Sequence, residues 1–185
     1  MKLKYPLLIG LIFIVIMVLN NEMAKRKKFK YYQDVVRIDD PIREELRRDK
    51  LLSDEADAKI LVINLWATWC GPCQQEIPEL NKLVRKYESE QTLFLAVTAE
   101  KGKDVQAWID LQKNEPEYFL MFDNQRLMNY LFSLNPDKNI KNGRAPEYLP
   151  TNIIIEKDKL VYFKQGYSAE NILAMDSILN QATKK

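Results

Sequence analysis

Cys70 and Cys73 are the only cysteines of the chain, they stand three positions apart, and their thiols are the groups best suited to do chemistry. Two thiols at this spacing can close a small disulfide without unravelling a helix. They can also exchange disulfides with another molecule, because one thiolate attacks and the other then resolves the mixed disulfide. The chain has no histidine, so no imidazole can activate a nucleophile or bind a metal here.

Three other interpretations of this pair stay open from its spacing. It could be a structural disulfide, or an inert buried pair. It could also bind a metal, but a tetrahedral zinc site needs four ligands and one chain supplies two, so two chains would have to pool their thiolates. We expect no metal site and no cofactor other than a redox-active Cys70–Cys73 disulfide.

The elements around the two cysteines would place them at a helix start. A β-branched apolar run over 60–66 predicts a buried strand, and the chain from Pro72 to about Glu88 predicts a helix with one apolar face. Cys70 would then precede the first helical turn and Cys73 would lie within it. Unpaired N–H groups and the positive helix end favour a thiolate at Cys70. Pro72 suits the first turn, where its missing N–H costs nothing.

The remaining elements alternate between strands and helices. We predict strands over 92–97, 118–122, 151–155 and 160–164, and helices over 103–113, 124–134 and 168–181. This order indicates an α/β fold with a central, largely parallel sheet covered by helices on both faces. A terminal hairpin adds antiparallel strands, which makes the sheet mixed. The polar stretch 135–148 is interpreted as a loop, either a surface insertion or a partner-recognition segment.

The N-terminus predicts a membrane segment. Lys2 and Lys4 precede an apolar run over residues 5–19, which is the pattern of a signal-type sequence. The run is shorter than the roughly 20 residues of a comfortable span. We expect an uncleaved anchor helix in residues 1–20, with a cleaved secretory peptide as the alternative. A charged linker over 21–50, with a short helix near 42–52, then leads into a domain over 51–185.

Two motifs carry a resemblance to a known family. The segment 64–78, which reads NLWATWCGPCQQEIP, resembles the active-site stretch of thioredoxin-fold proteins, and more narrowly that of the TlpA/ResA-like disulfide reductases of bacterial envelopes. The second motif is Leu149-Pro150-Thr151 before a strand. The resemblance extends over about 58–183 and implies a thioredoxin-like fold. It also implies that Cys70 attacks and Cys73 resolves.

The same resemblance implies the substrate contacts. Trp69, Gly71 and Pro72, beside the cysteines, would contact the substrate. Pro150 corresponds to the family's cis-proline, which faces the cysteine pair. The backbone of Leu149 would pair with an extended substrate segment, as in strand addition.

The proton acceptor is expected to differ from that of thioredoxins proper. Those proteins carry a buried aspartate six residues before the first cysteine, where this chain has Asn64. The TlpA/ResA-like proteins resemble this chain in carrying Glu76 one helical turn after Cys73. We expect Glu76 to help deprotonate Cys73; the alternative is an ordinary surface glutamate.

The resemblance therefore implies a thiol–disulfide oxidoreductase that reduces envelope protein disulfides, with protein thiols or disulfides as substrates and a membrane or envelope thiol as electron donor. Its expected place is the bacterial inner membrane, crossed once through residues 5–19, with a periplasmic or extracytoplasmic domain. The basic residues over 25–30 oppose this orientation, because positive charge favours the cytoplasmic side. The net charge of +2 gives no reason to expect nucleic-acid binding. Two alternatives stay open: a thiol peroxidase of the peroxiredoxin type, and a non-catalytic interaction module.

Overall fold

A central five-stranded sheet organises the part of the chain that the structure, a computed structural model, describes: residues 41–48, 57–112, 115–136 and 148–184. The strands are β1 (Ile60–Leu65), β2 (Thr92–Val97), β3 (Phe119–Met121), β4 (Thr151–Glu156) and β5 (Lys159–Gln165). The helices are α1 (Pro41–Arg48), α2 (Gly71–Tyr87), α3 (Gly102–Ile109), α4 (Gln125–Ser133) and α5 (Ala169–Ala182). Each described element from β1 to α5 lies where the sequence pattern predicts it, within a few residues at its ends.

The sheet is mixed, in the order β3-β2-β1-β4-β5. The β1–β2 and β2–β3 pairs are parallel, whereas β1–β4 and β4–β5 are antiparallel. Lys157 and Asp158 form the tight turn between β4 and β5, and both have positive φ, as a two-residue hairpin turn requires. This turn closes the terminal hairpin that the sequence predicts, and the mixed thioredoxin-like sheet flanked by helices confirms the expected fold class for the domain.

Side chains alternate between the two faces of the sheet and form two separate cores. One core packs α1 and α4 against Leu61, Ile63 and Leu65 of β1. The other packs α2, α3 and α5 against the opposite face, and it contains both cysteines. The strands are therefore buried on both faces, which explains why β1 and β2 read as continuous apolar runs.

Helix α1 belongs to the first of these cores although it lies in the stretch assigned to a charged linker. Ile42 and Leu46 are fully buried there. Arg43 donates to the Ala58 carbonyl and forms an ion pair of 2.8 Å with Asp158 in the hairpin turn. The folded unit thus includes α1 (Pro41–Arg48).

The predicted anchor in residues 1–20 and most of the linker lie outside the described residues. Among the helices of the described ranges, none combines the length and the apolar character needed to cross a membrane.

Candidate active site

Cys70 caps the N-terminus of α2, directly after the turn that leaves β1. Its backbone is extended, and its N–H donates to the Ala67 carbonyl at 3.1 Å, which closes the turn. Its Sγ accepts the N–H of Cys73 at 3.2 Å and is joined to the Cys73 sulfur in a disulfide. The sequence predicted this placement at the helix start. An N–H donor of the first turn and the helix dipole both favour negative charge on that sulfur.

The turn that carries Cys70 is held at Thr68 from two sides. Thr68 donates its N–H to Glu100 Oε2 and its hydroxyl to Glu100 Oε1, each at 2.6 Å. The Thr68 carbonyl accepts from Gln74 Nε2, also at 2.6 Å. Glu100 lies in the loop after β2, so this loop and α2 together fix the turn. Sequence reasoning did not single out Glu100, because its partner is 32 positions away and the carboxylate carries no local motif.

A groove of about 650 Å³ opens beside Cys70. Of the residues expected to contact substrate, Trp69, Gly71, Pro72 and Leu149 line it, and the Trp69 side chain is 74% exposed. Other lining residues come from α4 and from the segment before β4 and are largely apolar; they include Met128, Phe132 and Tyr148. Among the described residues that line the groove, Glu100 is the one with a charged side chain.

Pro150 is buried and lies directly before β4, next to Leu149, which lines the groove. The Leu149–Pro150 peptide bond is cis, as the resemblance implies. The Pro150 carbonyl accepts the N–H of Gly166 at 2.7 Å, which ties the start of β4 to the end of β5. Leu149 therefore sits at the groove on a fixed piece of backbone.

Glu76 is fully buried on α2, so it is not the surface glutamate of the alternative interpretation. Its Oε1 accepts from Asn152 Nδ2 at 2.6 Å, and its Oε2 accepts from Asn64 Nδ2 at 3.1 Å. Asn64 Nδ2 also donates to Asn152 Oδ1 at 3.0 Å. Tyr118 donates its hydroxyl to Asn64 Oδ1 at 3.4 Å. These four side chains form the Glu76 cluster, and every bond in it is buried.

Burial sets the protonation of this cluster. Desolvation raises the pKa of Glu76 from 4.5 to about 7, against the lowering effect of the Asn152 and Asn64 hydrogen bonds. Burial, followed by repulsion from Glu76, also raises the pKa of the Tyr118 hydroxyl. A carboxyl that titrates near neutral pH can both take up and give up a proton under ordinary conditions.

A second depression, of about 400 Å³, lies at the opposite end of β1 and contains no thiol. It is lined by residues such as Lys59, Gln91 and Lys157. The described ranges contain no cluster of three or more histidine, cysteine, aspartate or glutamate side chains that could hold a metal ion. Reactive groups and a groove coincide at Cys70, which makes that end of the sheet the candidate site.

Comparison with known proteins places these features in a family. The model of the AhpC/TSA family matches residues 44–164. Thiol-disulfide oxidoreductase ResA of Bacillus thuringiensis (strain Al Hakam) is 27% identical over 114 residues, which cover 62% of this chain and 58% of that protein. The protein of the same name from Halalkalibacterium halodurans is 25% identical over 132 residues, covering 70% of this chain and 67% of that one.

A solved structure shares the fold. The thiol:disulfide interchange protein DsbE from Chlorobium tepidum superposes with a TM-score of 0.55 at 23% identity, over 71% of this chain and 84% of that chain. Its fold likeness agrees with the family match, which includes both cysteines, Glu76 and Pro150. The chain therefore belongs to the AhpC/TSA family, as a thioredoxin-fold protein of the TlpA/ResA-like kind.

Proposed function

We propose that this chain is a thiol–disulfide oxidoreductase that reduces disulfides in protein substrates. The observation that carries the proposal is the position of Cys70: it caps α2, its sulfur accepts the Cys73 N–H, and it opens onto the groove. The names of the ResA proteins agree with this function, and the chain spans 58% of the length of the first of them.

The reaction follows from the order in which the two sulfurs can act. The Cys70 thiolate attacks one sulfur of the substrate disulfide, and the other substrate sulfur leaves as a thiolate. The Cys73 thiolate then attacks Cys70 Sγ and releases the second substrate thiol. Two electrons pass to the substrate, and the chain is left with the Cys70–Cys73 disulfide. A dithiol donor, for which we propose an envelope or membrane thiol, must reduce that disulfide for another cycle.

Proton movement and substrate placement use the neighbouring residues. Cys73 must lose its proton before it can attack, and Glu76 lies one turn further along α2 with its pKa near 7. We assign Glu76 as the acceptor of that proton.

The substrate segment would lie in the groove against Trp69, Gly71 and Pro72 and pair with the backbone of Leu149 before Pro150.

The proposed place of action is the outer side of a bacterial inner membrane. The support is the apolar run over residues 5–19, preceded by two lysines. Labelling of residues in the 51–185 domain with a membrane-impermeant reagent in intact cells tests this. Labelling only after the membrane is broken would place the domain in the cytoplasm.

A trapping experiment tests the function. In Cys73→Ser the mixed disulfide on Cys70 cannot be resolved, so substrates should accumulate on the protein as species that reductant releases. The matched control is the double variant Cys70→Ser with Cys73→Ser, which should trap nothing. If the single variant traps no more than the double variant, thiol–disulfide exchange is not the activity.

A redox titration of the purified domain determines the direction. The Gly71-Pro72 pair between the cysteines resembles that of reducing thioredoxins, so a potential close to theirs, about −270 mV, is expected. A potential near that of strong oxidants, about −120 mV, would contradict the reductase direction.

Thiol peroxidase activity is the second candidate, because the AhpC/TSA match names the family and not the oxidant. Cys70 would reduce peroxide, and Cys73 would condense with the resulting sulfenic acid and release water. Peroxide consumption by the reduced protein, compared with Cys70→Ser, tests it. A non-catalytic interaction module, in contrast, would bind its partners equally well after both cysteines were replaced.

A further inference from the structure

Asn152 lies on β4, far from the cysteines in sequence, yet its side chain contacts Glu76, the proposed acceptor of the Cys73 proton. It stands directly opposite Asn64 in the antiparallel β1–β4 register. Both asparagines are buried, with 0% exposure for Asn152 and 4% for Asn64. Two amides at the centre of an apolar sheet are costly unless every polar atom is paired. Their pairing with Glu76 therefore explains why they can be there.

The hydrogen bonds of the Glu76 cluster dictate how each amide is turned. The Tyr118 hydroxyl donates to Asn64 Oδ1, which fixes the Asn64 amide with Nδ2 on the other side. From there Nδ2 donates to both Glu76 Oε2 and Asn152 Oδ1. With its oxygen accepting from Asn64, Asn152 must direct Nδ2 at Glu76 Oε1. Each carboxylate oxygen thus receives one N–H donor. Donors of this kind stabilise the ionised carboxylate and offer no acceptor to the proton of the neutral acid.

We propose that Asn152 is a positioning residue of the resolving step: with Asn64, it keeps Glu76 able to release its proton and so to accept the proton of Cys73. The inference rests on the proposed function. Asn152 touches neither the sulfurs nor a substrate, and it acts through Glu76 alone.

Of the groups that face Glu76, the two asparagine amides are the ones that stabilise its ionised form. β1 and β4 present only the neutral side chains of Asn64 and Asn152. The segment before β3 presents Tyr118, which stays protonated because burial raises its pKa. On its own helix, Cys73 lies one turn before Glu76. In the described part of the chain no cation contributes to the shift of the Glu76 pKa, so the two amides are what opposes the effect of desolvation there.

A single-turnover reaction with dithiobis(nitrobenzoate) isolates the resolving step. Cys70 of the reduced protein displaces one nitrothiobenzoate thiolate and forms a mixed disulfide. Cys73 then displaces the second, which is released in a separate phase. The rate of this second phase as a function of pH reports the deprotonation of Cys73, because the leaving thiolate is a good one at every pH used.

The test compares Asn152→Leu, which removes the donor at similar volume, and Asn152→Asp, which replaces the donor with a second carboxylate. We expect the rate of the wild-type second phase to be half-maximal near pH 7, the value to which burial raises the Glu76 pKa. Asn152→Leu should shift that midpoint upward by about one pH unit, the worth of one hydrogen bond to a charged group. Asn152→Asp should shift it upward as well, since two adjacent carboxyls share one proton.

Ile154→Val is the matched control. Ile154 is buried on the same face of β4, two residues further along, and belongs to the same core as Cys73. Its truncation perturbs packing without touching the Glu76 cluster, so its midpoint should equal that of the wild type. Midpoints of Asn152→Leu and Asn152→Asp that coincide with the wild-type value, or an equal shift in Ile154→Val, would overturn the inference. If Asn152→Leu does not fold, Asn152→Ala, which also removes the donor, takes its place in the comparison.

A direct titration separates this inference from the proposed function. The Glu76 carboxyl can be followed by carbon NMR in the wild type and in Asn152→Leu, both in the disulfide form. A higher Glu76 pKa in the variant supports the positioning role, and equal values exclude it. If instead the wild-type protein releases only one nitrothiobenzoate, Cys73 does not resolve and the proposed function fails, whatever the NMR titration shows.

Discussion

Glu100 accepts two hydrogen bonds from Thr68, one from its N–H and one from its hydroxyl, through its two carboxylate oxygens at 2.6 Å each. Thr68 stands two residues before Cys70, in the turn between β1 and α2. The contact therefore joins the loop after β2 to the piece of backbone that sets where the attacking sulfur lies. It makes Glu100 a determinant of the shape of the groove, which it also lines.

Removing these two hydrogen bonds should destabilise the turn between β1 and α2. Glu100→Ala loses two charge-assisted hydrogen bonds and leaves the Thr68 N–H without its partner, so the free energy of unfolding should fall by about 1–3 kcal/mol. Glu100→Gln can still accept the N–H and donate to the hydroxyl oxygen, so its loss should be smaller. Urea unfolding of the disulfide forms measures both. Equal losses in the two variants would show that charge, and not the two-point contact, matters at this position.

Replacing Thr92 should increase the free energy of unfolding. Its hydroxyl is buried on β2 and has no hydrogen-bond partner among the described residues. Thr92→Val keeps the shape and the β-branching while removing an unpaired polar group, so we expect an increase of about 1 kcal/mol in the free energy of unfolding. Urea unfolding checks this, and a decrease would mean that the hydroxyl is paired after all. The redox potential should not change, because Thr92 lies at the opposite end of β2 from the site.

The sequence was sufficient where structure follows from local pattern. The strand 92–97 and the position of Cys70 at a helix start depend on neighbours a few residues away, and both are found as predicted. The cis bond before Pro150 came from the family resemblance and not from local pattern.

Contacts between distant segments were not predictable in the same way. Asn64 and Asn152 meet across 88 positions, and their opposition depends on the β1–β4 register. That register is set by how the terminal hairpin docks, which no local pattern specifies. For this reason the sequence could point to Glu76 without showing what binds it. The sequence pattern predicted a short helix near 42–52 but assigned it to a charged linker, because Ile42 and Leu46 are the only buried residues among the described side chains of α1.

Trp69 should matter for substrate and not for folding. Its side chain is 74% exposed at the edge of the groove, so little packing is lost in Trp69→Ala and the free energy of unfolding should change by less than about 0.5 kcal/mol. The rate at which Cys70 forms a mixed disulfide with a protein disulfide such as insulin should fall several-fold. Leu111→Ala is the control, because Leu111 is 82% exposed and lies outside the groove. Equal rates in the two variants would remove Trp69 from substrate binding.

The buried Glu76 should make the oxidised protein less stable as the pH rises. Its pKa is about 7 in the folded state, against an ordinary value of 4.5 for a glutamate, so between these values the folded chain binds more protons than the unfolded one. Stability then falls with rising pH. The contribution is fully present below about pH 4.5 and is lost as the pH passes through 7. The shift corresponds to a total on the order of 3 kcal/mol.

Glu76→Gln removes this titration, so its free energy of unfolding should be nearly flat between about pH 5 and pH 8, where few other side chains titrate. Urea unfolding at several pH values, with the Cys70–Cys73 disulfide intact so that thiols do not contribute, gives both curves. The wild-type and Glu76→Gln curves should diverge progressively as the pH rises through this interval. Parallel curves would mean that Glu76 stays ionised in the folded protein, and a carboxyl of that kind would be a much weaker acceptor for the Cys73 proton.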